Sequence, residues 1–300
     1  MKATEYPLPI DGLAPAESTP MRVVGPGGVR LWAHGWFPEK SPRSILVLLH
    51  GIGMHGGPYR SVARAFTVRQ IGLVVPDLRG HGRSEGRRHS LPDMATLTED
   101  LDRIFAHVSR LYPGVPIALG GESMGGLLAA EFVSRRPHRP WAVVLLCPAF
   151  RVHPSRFIFR GLSTVPIGRI HTDSLAHLEP STRMPGFVTA KRNDPDATHT
   201  VHFNYLLRLA AWGWRWPWAA ARIPIPLQLH LPGRDRIIDN RVARQAFARW
   251  RGSPSELLEW DDAYHTLFWD PSTGEVVDRI AGWLLERLSP PVGAEPRFRF

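Results

Sequence analysis

A serine stands at the centre of Gly121-Glu122-Ser123-Met124-Gly125, directly after the apolar run Ile117-Ala118-Leu119 and shortly before Leu127-Leu128-Ala129-Ala130-Glu131-Phe132-Val133. Glycines on both sides allow the chain to turn sharply from a strand into a helix, which leaves the serine oxygen accessible at the turn. Such a serine is suited to attack a carbonyl carbon, with the Met124 N–H aimed at the developing oxyanion. A hydroxyl is too weak an acid to attack unaided. The chemistry therefore needs a base, an acid that orients the base, and a second oxyanion donor.

Candidates for these roles follow downstream in the chain order Ser, Asp, His. His265, in Asp262-Ala263-Tyr264-His265, lies just after the last apolar run and is the candidate base among fourteen histidines. Asp235, in Gly233-Arg234-Asp235-Arg236-Ile237-Ile238-Asp239, follows the run Leu227 to Leu231 and is the candidate acid. Asp239 is the nearby alternative, although its place before Asn240 suits a helix N-cap better. The position after Ala142 to Leu146 offers Cys147-Pro148-Ala149 and no carboxylate. His50-Gly51-Ile52-Gly53 follows the run Ile45 to Leu49, so the backbone N–H of Ile52 is the candidate second oxyanion donor. Each such donor contributes about 3 kcal/mol in acyl-transfer sites. His50 itself reads as a structural hydrogen-bonding residue rather than a second base.

These groups have to be gathered at one edge of a sheet. The apolar runs Ile45 to Leu49, Leu73 to Val75, Ile117 to Leu119, Ala142 to Leu146, Leu227 to Leu231 and Leu257 to Trp260 suit parallel strands buried on both faces. Met21 to Val24 and Val29 to Ala33, joined by Gly25-Pro26-Gly27-Gly28, predict an antiparallel hairpin at the sheet edge. Met94, Leu97, Leu101, Ile104, Phe105, Val108 and Leu111 recur at helical spacing, with Pro92 expected in the first turn. Pro271 to Leu288 predicts a terminal helix with Val276, Val277, Ile280, Trp283, Leu284 and Leu288 on one face. The expected fold class is α/β, a mostly parallel central sheet flanked by helices.

From about Pro148 to Arg222 the strand rhythm stops, and Pro154, Pro166, Pro180, Pro185 and Pro195 interrupt short helical pieces. That stretch predicts an inserted cap. The expected organisation is a tail over residues 1–20, a core segment over 21–147, the cap over 148–222, a second core segment over 223–288 and a tail over 289–300. The cap contains nine arginines and one lysine against three aspartates and one glutamate, which suits an anionic surface or product. Trp212-Gly213-Trp214-Arg215-Trp216-Pro217-Trp218 either closes this cap against the core or forms an apolar mouth that touches lipid.

The net charge of +10 comes mostly from arginine, since Lys2, Lys40 and Lys191 are the three lysines. The arginines form no basic run and accompany no nucleic-acid motif, so no nucleic-acid partner is expected. No stretch reaches the roughly 20 apolar residues of a spanning helix, and Met1 to Pro7 lacks a signal-peptide core, so a cytoplasmic location is expected. Cys147, without a second cysteine to pair with, reads as a small buried hydrophobe.

Taken with His50-Gly51-Ile52-Gly53-Met54-His55 and Asp77-Leu78-Arg79-Gly80-His81-Gly82-Arg83-Ser84-Glu85-Gly86, the Ser123, Asp235 and His265 segments resemble the monoacylglycerol lipase and lysophospholipase branch of the α/β-hydrolases, the serine aminopeptidase S33 type. The resemblance runs from about residue 21 to 288. It implies a cap over a lipid tunnel and hydrolysis of single-chain acyl esters, with no cofactor and no metal. This sequence carries Met54 and Pro58 where many family members carry an acid and an arginine, and Glu122 where histidine is commoner. Asp77 to Gly86 reads as a hydrogen-bonded structural loop. A broad carboxylesterase or lysophospholipase is the alternative within the fold, and a non-catalytic protein holding a hydrophobic ligand is the alternative outside catalysis. Expected partners are thus a small acyl ester or lipid and, transiently through the cap, a membrane surface.

Overall fold

The computed structural model describes residues 5–10, 12–152, 171–173 and 181–288. Within them the strands are β1 (Thr19–Val24), β2 (Arg30–Trp36), β3 (Ser44–Leu49), β4 (Ile71–Pro76), β5 (Ile117–Glu122), β6 (Val143–Leu146), β7 (His171–Asp173), β8 (Thr200–His202), β9 (Leu227–Pro232) and β10 (Glu256–Trp260). Eight of these make one sheet in the order β1-β2-β4-β3-β5-β6-β9-β10. The β1–β2 hairpin is antiparallel and lies at the edge, as the sequence predicts, and β2 joins β4 antiparallel. All pairings from β4 onward to β10 are parallel. Every residue of β3, β4, β5, β6 and β9 is buried, which is why β3, β4 and β6 are near-continuous apolar runs; β9 instead alternates Leu227, Leu229 and Leu231 with buried Gln228 and His230, so the run read there is not apolar throughout.

Alternate residues of the central strands feed two cores. Ile45, Val47 and Leu49 of β3 face the layer that contains α2 (Met94–Leu111), α3 (Met124–Arg135) and α7 (Asn240–Arg249). Leu46 and Leu48 face the layer of α1 (Arg60–Thr67) and α8 (Thr273–Leu288). The helix boundaries correct two details of the sequence reading. Asp93 caps α2 by accepting the Thr96 N–H at 2.8 Å, which places Pro92 before the cap rather than in the first turn. Pro271 likewise precedes α8.

Of the stretch read as a cap, residues 153–170 and 174–180 lie outside the described residues, and Pro154, Pro166 and Pro180 with them. The remainder contains α4 (Phe187–Asn193), α5 (Phe203–Trp214) and α6 (Trp216–Ala219). It also holds a two-stranded antiparallel ribbon of β7 and β8, an element the loss of strand rhythm did not predict. Strands of three residues each are too short to leave a periodicity in the sequence. The tail read over residues 289–300 also lies outside the described residues.

Candidate active site

Parallel strands point the same way, so the loops after β3, β5, β9 and β10 emerge together at the carboxyl edge of the sheet. Those four loops hold Ile52, Ser123, Asp235 and His265. Ser123 takes φ 55° and ψ −115°, a conformation ordinary L-residues avoid, at the turn between β5 and α3. Its neighbours explain why the turn is built from glycine. A Cβ on Gly121 would lie 2.2 Å from the Gly125 carbonyl oxygen, and one on Gly125 would lie 2.0 Å from the Leu49 carbonyl oxygen. The strained serine is held by its N–H donating to the Leu146 carbonyl at 2.9 Å and its carbonyl accepting from Ala149 and Leu127 at 2.9 and 3.1 Å.

The three residues read as a unit from sequence come together in space. His265 Nε2 lies 2.8 Å from Ser123 Oγ, and His265 Nδ1 lies 2.7 Å from Asp235 Oδ2. The other Asp235 oxygen, Oδ1, accepts the N–H groups of Ile237 and Ile238 at 2.8 and 2.9 Å, which fixes the carboxylate. Asp239 is engaged elsewhere: it caps α7 and holds Arg241 through both oxygens at 2.9 Å. Ser123 is 9% exposed and His265 6% exposed, so reacting atoms here meet little water. Burial opposes a charged imidazole at His265, but the Asp235 carboxylate outweighs it and holds the group well above its ordinary pKa. The Cys147 thiol is neutral, pushed up to about 11 by burial, and donates to the His265 carbonyl at 3.0 Å.

Met124 is the first residue of α3, so its N–H is one of the groups without an acceptor inside the helix. Ile52 sits in a turn closed by the Met54 N–H donating to the Gly51 carbonyl at 3.2 Å, with Gly53 at φ 69°. This turn is braced from the far side by residues that local sequence could not nominate. Lys191, 1% exposed on α4, donates from Nζ to the Ile52 carbonyl at 3.0 Å, and the Thr198 N–H donates to the Gly53 carbonyl at 3.0 Å. His50 accepts the Leu78 N–H on Nε2 at 3.1 Å and donates from Nδ1 to the Gly51 carbonyl at 2.9 Å. Burial lowers its pKa well below the ordinary value, so the ring is a neutral strut. Asp77 accepts the N–H groups of Gly56 and Arg83 at 2.6 and 2.8 Å, and Ser84 donates to its carbonyl at 2.5 Å. The Asp77 loop is thus tied by hydrogen bonds. Met54 is buried in the core beside Tyr59, so it offers this loop no polar group.

Glu122, immediately before the serine, is 3% exposed and accepts the Tyr59 hydroxyl on Oε2 at 2.9 Å. Burial raises its pKa above the ordinary carboxyl value, with Tyr59 opposing. The folded state therefore keeps a proton that the unfolded chain releases, and the associated stability is full below about pH 4.3 and lost as pH rises through the folded value. Glutamine at position 122 is expected to flatten this alkaline-side loss in urea titrations made across that range. An unchanged slope would rule out the titration.

Among the described residues, two groups of metal-ligating atoms come within 4.8 Å of one another: His34, His55 and Asp77, and Cys147, Asp235 and His265. The second group is the candidate acid and base together with Cys147. In the first, His55 accepts the Gly57 N–H on Nδ1 at 3.2 Å and contacts Asp194 Oδ2 through Nε2 at 2.9 Å, so both of its nitrogens are engaged.

A family model for serine aminopeptidases of the S33 type matches residues 40–272, which span all of these positions. The chain belongs to that family. This S33-type protein is an α/β-hydrolase, and lipases are among its relatives. It is 28% identical over 275 residues to a monoacylglycerol lipase of Mycolicibacterium smegmatis, covering 88% of this chain and 96% of the relative. Among solved structures it resembles the monoacylglycerol lipase of Paleococcus ferrophilus, with a TM-score of 0.72 and 24% identity over 86% of this chain and 99% of that one. It also resembles a soluble variant of the monoglyceride lipase of Saccharomyces cerevisiae, with a TM-score of 0.78 and 16% identity over 97% of this chain and all of that one. Among the described residues of the S33-type hydrolase, no helix is long and apolar enough to cross a membrane.

Proposed function

We propose that this protein is a serine ester hydrolase that cleaves single-chain acyl glycerols through an acyl-enzyme intermediate. The observation that carries the reading is the hydrogen-bonded chain from Ser123 through His265 to Asp235, at 2.8 and 2.7 Å. Ser123 Oγ attacks the ester carbonyl carbon while its proton passes to His265 Nε2. The carbonyl oxygen becomes an oxyanion and accepts the N–H groups of Ile52 and Met124. His265 returns the proton to the leaving alkoxide as the carbon–oxygen bond breaks, and glycerol departs. Water then attacks the acyl-serine with His265 again as base, the fatty acid leaves, and Ser123 recovers its proton. Asp235 orients the imidazole and stabilises the imidazolium. Similarity to monoacylglycerol lipases supports glycerol as the leaving group.

Fatty-acid release from a chain-length series of monoacylglycerols beside p-nitrophenyl esters tests the reading. Preferential turnover of the glycerides supports it, whereas turnover of short esters alone would make the protein a general carboxylesterase. Failure of Ser123 to react with a fluorophosphonate probe would favour a binding protein.

The reading extends to transient contact with lipid. The tryptophan-rich segment divides by burial: Trp216 is fully buried, while Trp214 and Trp218 are 65% and 60% exposed. Arg151 lies over the Trp214 ring at 4.7 Å. Exposed aromatics beside cations suit an anionic lipid interface. Replacing Trp214 and Trp218 together by serine is expected to weaken cosedimentation with anionic vesicles severalfold, with soluble-ester turnover retained; equal binding by the double variant would locate the contact elsewhere.

A further inference from the structure

A cavity of about 140 Å³ opens beside the amino end of α5, lined by Arg87, Ser90, His202, Asn204, Tyr205 and Arg208. Nearly every lining side chain carries a hydrogen-bond donor, two are guanidinium groups, and none is a carboxylate. The acids that flank the Arg87 loop are committed elsewhere. Glu85 pairs with Arg30, and Asp93 accepts the Thr96 N–H and hydroxyl at 2.8 and 3.1 Å. Arg208 is anchored by one nitrogen, Nη1, which donates to the Leu91 carbonyl at 3.0 Å and leaves the rest of its fork available. Arg87 makes no hydrogen bond or ion pair among the described residues. The first turn of α5 contains no acidic residue, and His202 makes no side-chain cap, so the helix end adds to the positive field.

We infer that this cavity binds a phosphate monoester. Such a group carries a charge between −1.5 and −2 at neutral pH and three acceptor oxygens, which two arginines and the surrounding donors match. A carboxylate would leave one guanidinium unbalanced. Tyr205 forms the wall shared with the candidate active site: its hydroxyl lies 2.7 Å from the Met124 sulfur and 3.2 Å from His81 Nε2. Met124 follows Ser123 directly. The cavity is therefore placed to take the headgroup of a phosphorylated single-chain glyceride while the ester meets the serine, and this half of the inference rests on the acyl-ester reading above. A soluble phosphate ester offers the same chemistry.

Calorimetric titration with sn-glycerol 3-phosphate, using glycerol as the control, tests the cavity without any turnover. Binding that weakens with added salt, and about tenfold in Arg87→Gln and in Arg208→Gln, is expected. Arg249→Gln, which removes an equal charge from α7, should bind as the wild type does. No binding by the wild type, or equal binding by all variants, overturns the inference. The second arm compares kcat/KM for a lysophosphatidate and a monoacylglycerol of the same chain. A roughly tenfold fall of that ratio in Arg87→Gln assigns the headgroup, whereas an unchanged ratio with lost glycerol-phosphate binding assigns a soluble phosphate ester. Absence of turnover on both lipids with phosphate binding intact would refute the acyl-ester reading and leave the cavity's assignment standing.

Discussion

Alanine at position 123 is expected to lower ester turnover by on the order of 10⁶-fold, because it removes the atom that forms the acyl bond while the oxyanion donors and binding remain. Asparagine at position 235 keeps the shape of the acid and loses its charge, and a fall of about 10⁴-fold is expected from an imidazole held in the wrong tautomer. The two variants should also differ in kind. Asp235 holds the His265 pKa well above its ordinary value, so the basic form that accepts the serine proton accumulates above the ordinary imidazole range of about 6.5. The acid limb of kcat/KM should therefore lie above that value in the wild type and move to lower pH in Asp235→Asn. Single-turnover acylation with a p-nitrophenyl ester across pH measures both effects. Full activity in Ser123→Ala, or an acid limb that stays in place in Asp235→Asn, would remove these residues from their proposed roles.

Alanine at position 216 is expected to destabilise the fold by about 3–5 kcal/mol, the range for deleting a buried tryptophan. Trp216 is 0% exposed, stacks on Phe150 with centroids 5.1 Å apart, and donates from Nε1 to Glu131 Oε1 at 2.9 Å. Glu131 belongs to α3, the helix that opens at Met124, and is itself fully buried. Arg215 donates to the same carboxylate at 2.9 and 2.5 Å. The truncation therefore leaves both a cavity and a buried carboxylate deprived of a donor, and α6 loses its anchor to the helix behind the serine. A melting-temperature drop of roughly 10 °C follows for a chain of this size. Alanine at exposed position 218 should cost no more than about 0.5 kcal/mol. Equal losses at the two positions would show that the aromatic segment does not divide as described.

Much of this was legible in the chain itself because the responsible physics is local. A strand buried on both faces is mostly apolar, so β3, β4 and β6 announce themselves as nearly unbroken runs. A serine forced to φ 55° between strand and helix needs glycine at positions 121 and 125, where any side chain would strike backbone. Once the strands are parallel, the loops that carry Ile52, Asp235 and His265 must share an edge with Ser123, and chain order alone nominates them. Asp239 could be set aside by its position before a helix, and the capping bond to Arg241 N–H is the bond that position predicts.

Other features depend on contacts between residues far apart in sequence, which no periodicity records. Nothing local in the sequence singles out Lys191, whose ammonium α4 brings to the Ile52 carbonyl. Glu122 reads as a neutral variation within the serine motif until Tyr59, 63 positions earlier, meets its carboxylate in the core. The ribbon of β7 and β8 is too short to leave a pattern. The alternation of buried Trp216 with exposed Trp214 and Trp218 depends on which face of this segment meets α3. The cavity of Arg87 and Arg208 joins two segments that each look unremarkable alone. The sequence by itself determined the α/β class, the turn that carries Ser123 and the candidate residues at its sheet edge, because strand burial and backbone sterics act over a few neighbours. Tertiary structure decided which buried charges brace the Ile52 turn and where Arg87 and Arg208 converge, because those depend on how distant elements pack.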